Sequence, residues 1–247
     1  MPAVTSLADV WPLFGLRLRT ERMVLRLPSD DEIVELIALA QAGIHPPDEM
    51  PFGVAWSVVP SPEFERSFVQ HHWAWRANWT PQLWELNLMA ELDGVPIGSQ
   101  SIGAEGFAIQ RTVHTGSWLG RAYQGRGLGK EMRSAVLGFA FDGLGARYAE
   151  TSAFLDNAAS NAVSRALGYE ENGRGTLAPQ GVARDTQKFR MSEAVWRGRR
   201  RLLAGQRVCA VTRRPVVARA ICAEECEARL EPLDRQRRPW PAPPDCL

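Results

Sequence analysis

The residues best suited to chemistry lie in a glycine-rich segment at positions 118–130, which reads Trp-Leu-Gly-Arg-Ala-Tyr-Gln-Gly-Arg-Gly-Leu-Gly-Lys. Apolar, β-prone residues precede it and a helical pattern follows it, which predicts a strand that leads through a glycine turn into a helix. Glycines let the backbone approach a bulky anion, and the first turn of a helix offers unpaired N–H groups and partial positive charge. The pattern therefore predicts a pyrophosphate site.

Two other phosphate-binding patterns fit this segment poorly. A Walker loop needs Ser or Thr directly after its lysine, whereas Lys130 is followed by Glu131. The dinucleotide pattern needs an acid at the end of the next strand, whereas Glu150 falls early in that predicted strand. A tight turn that needs glycine for packing alone stays open as a structural alternative.

The glycine turn resembles the acyl-CoA signature of the GNAT acetyltransferases, Gln/Arg-x-x-Gly-x-Gly/Ala, at Gln124, Gly127 and Gly129. Two neighbouring segments are similar to the RimJ/RimL-type branch of that family. Residues 116–119 read Gly-Ser-Trp-Leu beside the branch's Gly-Tyr-Trp-Leu, and residues 156–169 resemble its Asp-Asn-x-x-Ser-x-x-Val-x-x-x-x-Gly-Phe, with Tyr in place of Phe. The resemblance spans roughly residues 16–192 in element order and residues 113–170 in motifs.

The resemblance implies a binding site for acetyl-CoA as co-substrate. The strand backbone near Trp118 and Leu119 would pair with the pantetheine arm, and Asn157 and Ser160 would line the thioester end. The backbone amides that would hold the pyrophosphate belong to Gln124, Gly125, Arg126, Gly127, Leu128, Gly129 and Lys130.

Acyl transfer to an amine needs a base for the ammonium proton and an acid for the leaving thiolate. The resemblance places the base at His114, where the branch has Glu, and the acid at Ser160. A histidine titrates near neutrality and is chemically competent as this base. Glu91, Glu85 or an ordered water are alternative bases, and Ser160 could instead bond backbone in the first turn of the helix that Asn157 caps.

The elements that would position these residues follow from periodicity and turn signals. Residues 22–28 alternate as a strand that ends at proline, and Ser29 with Glu32 forms a capping-box signature for the next helix. Asp93-Gly94 predicts a hairpin. The remaining predictions are strands at 83–92, 95–101, 109–119, 148–154 and 186–191, helices from Pro62 onward, at 127–141 and at 158–167, and an apolar loop at 45–62.

These elements and the resemblance predict an α/β (α+β) domain of the GNAT fold. Its central sheet should be mixed and mostly antiparallel, flanked by helices and splayed at the acyl-CoA site. We expect this domain to span residues 1–196, with Trp196 ending the regular pattern. Residues 197–247 form an Arg- and Pro-rich C-terminal extension that should be partly ordered or pack on the domain or a partner subunit.

Composition narrows the classes of function. No apolar run reaches the roughly 18 residues of a membrane span, and the first residues lack the pattern of a secretory signal, so we expect a cytoplasmic protein without membrane contact. A net charge of +1 argues against nucleic acid as a partner. All four cysteines lie in the last 39 residues without paired spacing, and His71-His72 lack companion ligands, so no metal is predicted.

The sequence thus predicts an acyl-CoA-dependent N-acyltransferase that moves an acetyl group from acetyl-CoA to a primary amine by direct attack, with a general base and acid. Succinyl-CoA is the alternative donor. A non-catalytic acyl-CoA-binding regulator is the alternative from another class, because His114 replaces the branch's Glu. The acceptor would be a small-molecule or peptide amine, and a homodimer is compatible with the extension.

Overall fold

The computed structural model describes residues 4–202, 211–212 and 221. Its strands are β1 (Arg17–Arg19), β2 (Met23–Arg26), β3 (Leu83–Leu92), β4 (Val95–Glu105), β5 (Thr112–Leu119), β6 (Tyr148–Phe154), β7 (Glu170–Leu177), β8 (Arg184–Ser192) and β9 (Val211–Thr212). Its α-helices are α1 (Leu7–Val10), α2 (Asp30–Gln41), α3 (Glu63–Ala77), α4 (Phe107–Gln110), α5 (Leu128–Gly138), α6 (Ala158–Leu167) and α7 (Glu193–Leu202), and a π-helical turn over Phe139–Leu144 extends α5.

The described strands form one sheet in the order β7-β8-β6-β5-β4-β3-β2-β1-β9. The neighbouring strands are antiparallel except for β5 and β6, which run parallel. The predicted mixed, mostly antiparallel sheet of the GNAT fold is therefore confirmed. Strands β5 and β6 pair only from Thr112 opposite Tyr148 to His114 opposite Glu150, and then part. We call the wedge beyond this last pair the β5–β6 cleft.

Local signals explain the elements on which the cleft depends. In α2, the Ser29 hydroxyl accepts from the Glu32 amide at 3.2 Å and the Glu32 carboxylate accepts from the Ser29 amide at 2.7 Å, which is the predicted capping box. Asp93 and Gly94 take positive φ values of 52° and 82°, as a two-residue hairpin turn requires. Strand β4 extends past its predicted end at residue 101, because it pairs with β3 along their whole length.

Several elements differ from the sequence prediction. The strand predicted at 109–119 begins at Thr112, since the short helix α4 precedes it and Arg111 ends that helix at φ 52°. Strand β7 was not predicted because its residues are mostly exposed and include two glycines, which have low strand propensity. Helix α7 continues past Trp196, which is therefore not the end of regular structure.

Parts of the predicted C-terminal extension lie within the described residues. Val211–Thr212 pairs with β1, and Ile221 is fully buried in the main core. The four cysteines and the proline-rich end lie outside the described residues. The division into segments 1–196 and 197–247 stays a prediction.

The two faces of the sheet carry separate apolar clusters. On one face α5 packs with a core that includes Leu86, Val113 and Met132. On the other face α2 and α3 pack through Ile33, Phe68 and neighbouring residues, and Trp118 of β5 lies against them. Because side chains alternate along β5, His114, Gly116 and Trp118 share the α2–α3 face, and Thr115 and Ser117 share the α5 face.

An ion triad joins β2, β3 and α2. Arg26 bonds both carboxylate oxygens of Glu32, and its Nε and Nη2 donate to Glu91 Oε2 at 3.2 and 2.8 Å. Hydrogen bonds from Arg26 outweigh partial burial and lower the pKa of Glu32 to about 2. The Arg26 side chain is 18% exposed, so the surrounding water screens the triad only in part.

We expect Arg26→Met to lower the free energy of unfolding at neutral pH by about 2–3 kcal/mol, because it leaves two partly buried carboxylates facing each other. Urea unfolding measures the loss. Arg197→Met removes an exposed i,i+4 pair with Glu193 and should cost less than about 1 kcal/mol. Equal losses in the two variants would contradict a structural role for the triad.

A buried histidine predicts loss of stability in mild acid. His72 on α3 is 5% exposed, and burial, followed by the nearby charges of His71 and Arg76, lowers its pKa to about 3. In the unfolded chain a histidine has a pKa near 6.5, so the unfolded state binds the proton first and stability falls as the pH drops from about 6.5 toward 3.

The expected slope for this one group is at most about 1.4 kcal/mol per pH unit, and His72→Phe should remove it. Urea unfolding at a series of pH values measures the slope. Gln70→Phe adds a ring at an exposed site of the same helix and keeps the titrating group, so its slope should match the wild type. An unchanged slope in His72→Phe would show that His72 is not responsible.

Candidate functional site

The glycine turn before α5 presents a row of free backbone donors. Among the described residues, no hydrogen bond occupies the N–H groups of residues 125–130. Gly125 and Gly127 have φ values of 72° and 78°, which favour glycine, and no atom lies within 4 Å of the position that a Cβ on Gly125 would take. The turn therefore leaves room for an anion against the helix N-terminus.

Long-range hydrogen bonds hold this turn in place. The Gln124 side chain donates to the carbonyl oxygens of Ile44 at 2.6 Å and Leu119 at 2.8 Å. The Arg121 amide donates to the Gly43 carbonyl at 3.0 Å. Leu128 is 1% exposed and anchors the start of α5 in the core. The side chains of Gln124 and Leu128 thus fix the turn, and the backbone N–H of Leu128 remains available to a ligand. The N–H of Gln124 does not, because it donates to the Arg121 carbonyl at 3.2 Å, so the prediction that it holds the pyrophosphate is wrong.

The charge around the turn is positive. Arg126 and Lys130 are exposed, and neither forms an ion pair with any residue in the described part of the chain. The one acid in the first turn of α5, Glu131, is bound by Arg22 at 2.6 Å. Burial raises the pKa of Glu131, but hydrogen bonds from Thr20 and Arg22 outweigh that effect and keep it below its ordinary value. The acid is thus ionised and neutralised at neutral pH.

Strand β5 borders the cleft with an edge that β6 does not pair beyond His114. The ring of Trp118 lies 5.9 Å from Trp56 and 6.3 Å from Phe68, so this residue is anchored on the α2–α3 face. Leu119 packs against the main core. The backbone of both residues lies next to the glycine turn, and an extended ligand could add to this edge as a short strand does.

His114 lies at the last β5–β6 pair, in a row of side chains that crosses the sheet. The cross-strand partners in this row are Glu85, Gly103, His114, Glu150 and Arg190. The His114 side chain is 62% exposed, and its Nδ1 lies 3.9 Å from Glu150 Oε2. The Glu150 carboxylate also accepts from Arg190 Nε at 2.7 Å. His114 is thus accessible to a substrate at the narrow end of the cleft, on the α2–α3 face.

The two alternative carboxylate bases have different surroundings. Glu91 belongs to the ion triad of Arg26, so its carboxylate is committed to a structural pair. Glu85 is half-buried, and burial raises its pKa despite hydrogen bonds from Asn87 and Ser101. A Cβ on Gly103 would lie 3.2 Å from Glu85 Cβ and Cγ, so Glu85 lies over this glycine, on the side of His114. Glu85 remains a competent alternative base.

Helix α6 begins at the opposite side of the cleft. Asn157 is its N-cap, and the Asn157 Oδ1 atom accepts from the Ser160 amide at 3.0 Å. Ser160 is half-buried, and its hydroxyl makes no hydrogen bond to another described residue. The Ser160 hydroxyl is therefore free to donate to a ligand, whereas the side-chain oxygen of Asn157 is occupied by the cap.

Polar side chains close the narrow end of the cleft. The Thr151 hydroxyl donates to the Thr115 carbonyl at 2.9 Å, directly beyond the last β5–β6 pair. Thr115 Oγ1 lies 3.4 Å from the Tyr169 hydroxyl. Burial raises the pKa of Tyr169, so this phenol stays neutral. Arg133 of α5 lies beneath these side chains as a buried cation. The sequence analysis missed it, because the periodicity of the helix indicated a buried face that is narrower than the one observed.

A separate cavity of about 400 Å³ lies beside the glycine turn, under the loop of residues 45–62. His45 lines it, with Nδ1 2.7 Å from the Pro46 carbonyl and Nε2 2.7 Å from the Ser57 hydroxyl. The sequence predicted an apolar loop over residues 45–62, and it gave no signal for the position of His45. The part of the chain that the structure describes holds no group of three or more His, Cys, Asp or Glu residues suited to a metal, and no helix in that part is long and apolar enough to cross a membrane.

A model of the acetyltransferase (GNAT) domain matches residues 22–170 of the chain. This match covers both the glycine turn and α6.

Solved structures of acetyltransferases share the fold at low identity. Mycobacterium smegmatis RimJ in complex with CoA-disulfide is 21% identical, with a TM-score of 0.59, covering 78% of this chain and 95% of that one. RimL, a ribosomal L7/L12 alpha-N-protein acetyltransferase in complex with coenzyme A, is 16% identical, with a TM-score of 0.53 and coverage of 70% and 94%. The microcin C7 self-immunity acetyltransferase MccE, in complex with acetyl-CoA and AMP, is 17% identical, with a TM-score of 0.55 and coverage of 70% and 93%. At these identities the likeness concerns the fold alone.

Proposed function

The chain belongs to the GNAT acetyltransferase family, and from that premise we propose that it moves an acetyl group from acetyl-CoA to a primary amine, with the donor in the β5–β6 cleft. The observation that carries the proposal is the run of free N–H groups at residues 125–130, at the mouth of a cleft bordered by an unpaired strand edge. A diphosphate fits the free donors, and the amides of a pantetheine arm fit the edge.

The proposed chemistry is direct attack of the amine on the thioester carbonyl. His114 takes one proton from the ammonium, and the neutral nitrogen forms a bond to the carbonyl carbon. The C–S bond then breaks with its electron pair on sulfur, and the nitrogen loses its second proton to solvent. Solvent also takes the proton from His114 and restores the hydroxyl that protonates the sulfur. The Ser160 hydroxyl lies at the start of α6 without a partner among the described residues and is placed to donate to this sulfur. These assignments give each proton a source and a destination.

The acceptor would bind on the α2–α3 face, where His114 is exposed. Two partly buried rings, Trp56 and Trp118, lie on this face with their centroids 5.9 Å apart and pack over the buried Phe68. RimL is a ribosomal L7/L12 alpha-N-protein acetyltransferase. We therefore propose a peptide N-terminus or a small apolar amine as the acceptor, and aromatic side chains would bind its apolar part.

Native mass spectrometry with equal acetyl-CoA and succinyl-CoA tests the donor assignment. We expect one donor molecule per chain, with acetyl-CoA bound at least as tightly as succinyl-CoA. The regulator hypothesis predicts the same binding and differs only in turnover. An affinity for succinyl-CoA at least about tenfold higher than for acetyl-CoA would assign succinyl-CoA as the donor. Absence of binding by both compounds and by free CoA would refute the proposed site.

A further inference from the structure

Arg133 is a buried cation at the narrow end of the cleft. Arg133 is 3% exposed and lies in the middle of an otherwise apolar face of α5. Nη1 donates to the Thr151 hydroxyl at 3.2 Å, and Nη2 donates to the Ser117 hydroxyl at 3.1 Å. These two hydroxyls belong to β6 and β5, so the guanidinium spans the point where the strands part.

The charge of Arg133 is not neutralised by the described residues. None of their carboxylates forms an ion pair with it, and the nearby Glu150 belongs to the opposite face, where Arg190 binds it. Its side-chain partners are hydroxyl groups, and its buried Nε atom has no hydrogen-bond partner. A buried guanidinium without an anion is costly, so this arrangement indicates that an anion approaches it during function.

The position of Arg133 decides which part of a donor could supply that anion. Arg133 lies five residues after the start of α5, about 7.5 Å further along the helix axis, so the free amides of residues 125–130 would bind the diphosphate without it. Ser117 is exposed in the cleft, directly over Arg133. Next to it, the buried Oε1 of Gln100 also lacks a partner. The cation thus lies where the thioester end of the donor would rest.

Resting on the proposed function, we propose that Arg133 stabilises the negative charge that develops on the sulfur of coenzyme A as it leaves. The C–S bond breaks, its electron pair stays on sulfur, and the thiolate is held by the Arg133 cation until Ser160 or water protonates it. The acetyl carbon keeps its new bond to nitrogen. The first of the two protons that the nitrogen loses has already moved to the base, and the second leaves to solvent as the C–S bond breaks. A fixed cation in a water-poor site is well suited to this role.

The thiol of bound coenzyme A reports the effect directly. The ultraviolet absorbance of the thiolate is followed against pH in the complex with coenzyme A. We expect the wild-type site to favour the thiolate over the thiol at least about tenfold more than free solution does. This corresponds to a thiol pKa at least about one unit below that of free coenzyme A. In Arg133→Met the preference should disappear. Arg133→Lys keeps the charge and should retain part of the preference. Tyr169, Glu150 and His114 are the other titratable groups nearest the cleft end, and all three are intact in these variants.

Desulfo-coenzyme A separates this role from a structural one. Its affinity should change less than about threefold in Arg133→Met, while coenzyme A at pH 8 should bind at least about tenfold more weakly and kcat should fall. Equal weakening of both ligands, or a wild-type thiol that titrates as free coenzyme A does, would overturn the proposal. If Arg133→Met fails to fold, the thiol titration in the wild-type complex tests the proposal by itself. Absence of binding by either ligand to the wild type would instead overturn the proposed function.

Discussion

Gly127→Glu should abolish binding of coenzyme A, with an affinity loss of at least about 100-fold. The new carboxylate would lie at the N-cap of α5, in the space proposed for the diphosphate, and like charges brought together cost several kcal/mol. Calorimetric titration with coenzyme A measures the loss. The new side chain meets no steric clash, because the nearest atom to a Cβ at this position is the Nη2 of Arg22 at 3.8 Å, but the φ of 78° strains any L side chain and should lower the stability of the fold.

Backbone strain is the competing cause, and Gly94→Glu controls for it. Gly94 has a φ of 82°, close to the 78° of Gly127, and also has no atom near its added Cβ. It lies at the β3–β4 hairpin, away from the cleft. Gly94→Glu should therefore bind coenzyme A as the wild type does, with a similar loss of stability. Retained affinity in Gly127→Glu would show that the diphosphate binds elsewhere.

His114→Ala should lower kcat by about 10²–10⁴-fold, the usual contribution of a positioned base, while KM for acetyl-CoA changes little. A histidine accepts a proton only when neutral, so wild-type activity should fall on the acid side of the pH profile. The variant should lose that acidic limb, because no group at position 114 remains to titrate. Steady-state rates between pH 5.5 and 9 at saturating donor measure both effects.

Glu85→Gln is the matched comparison, because Glu85 lies in the same cross-strand row two strands away. If His114 is the base, Glu85→Gln should keep the acidic limb and lose less than about tenfold in kcat. The opposite pattern, with an unchanged profile in His114→Ala and a lost limb in Glu85→Gln, would assign the base to Glu85. Its half-buried carboxyl with a raised pKa would then be the proton acceptor.

The sequence was sufficient to predict the turns and helix caps whose signals are local. The Asp93-Gly94 turn, the Ser29–Glu32 capping box and the Asn157 cap of α6 depend on residues within one turn of each other, and all form as expected. The glycine turn likewise encodes its own positive φ values. Recognition of the family rested on the glycine turn and on residues 116–119 and 156–169, which are also short segments.

The narrow end of the cleft could not be derived in that way. Arg133, Ser117 and Thr151 come from α5, β5 and β6, and only the parting of two parallel strands brings them together. The helical periodicity of α5 indicated one apolar face, whereas the helix is buried on nearly all sides, including at Arg133. A charged residue within such a helix is the one sequence feature that could have drawn attention to this position.

A thiol-release assay with acetyl-CoA across a panel of primary amines tests the central claim most directly. The panel should include peptide N-termini, lysine side chains, polyamines and small aromatic amines. We predict amine-dependent release of coenzyme A with an equal amount of acetylated amine, saturable in both substrates and absent in Gly127→Glu. Tight binding of acetyl-CoA without amine-dependent release from any member of the panel would contradict catalysis and favour an acyl-CoA-binding regulator.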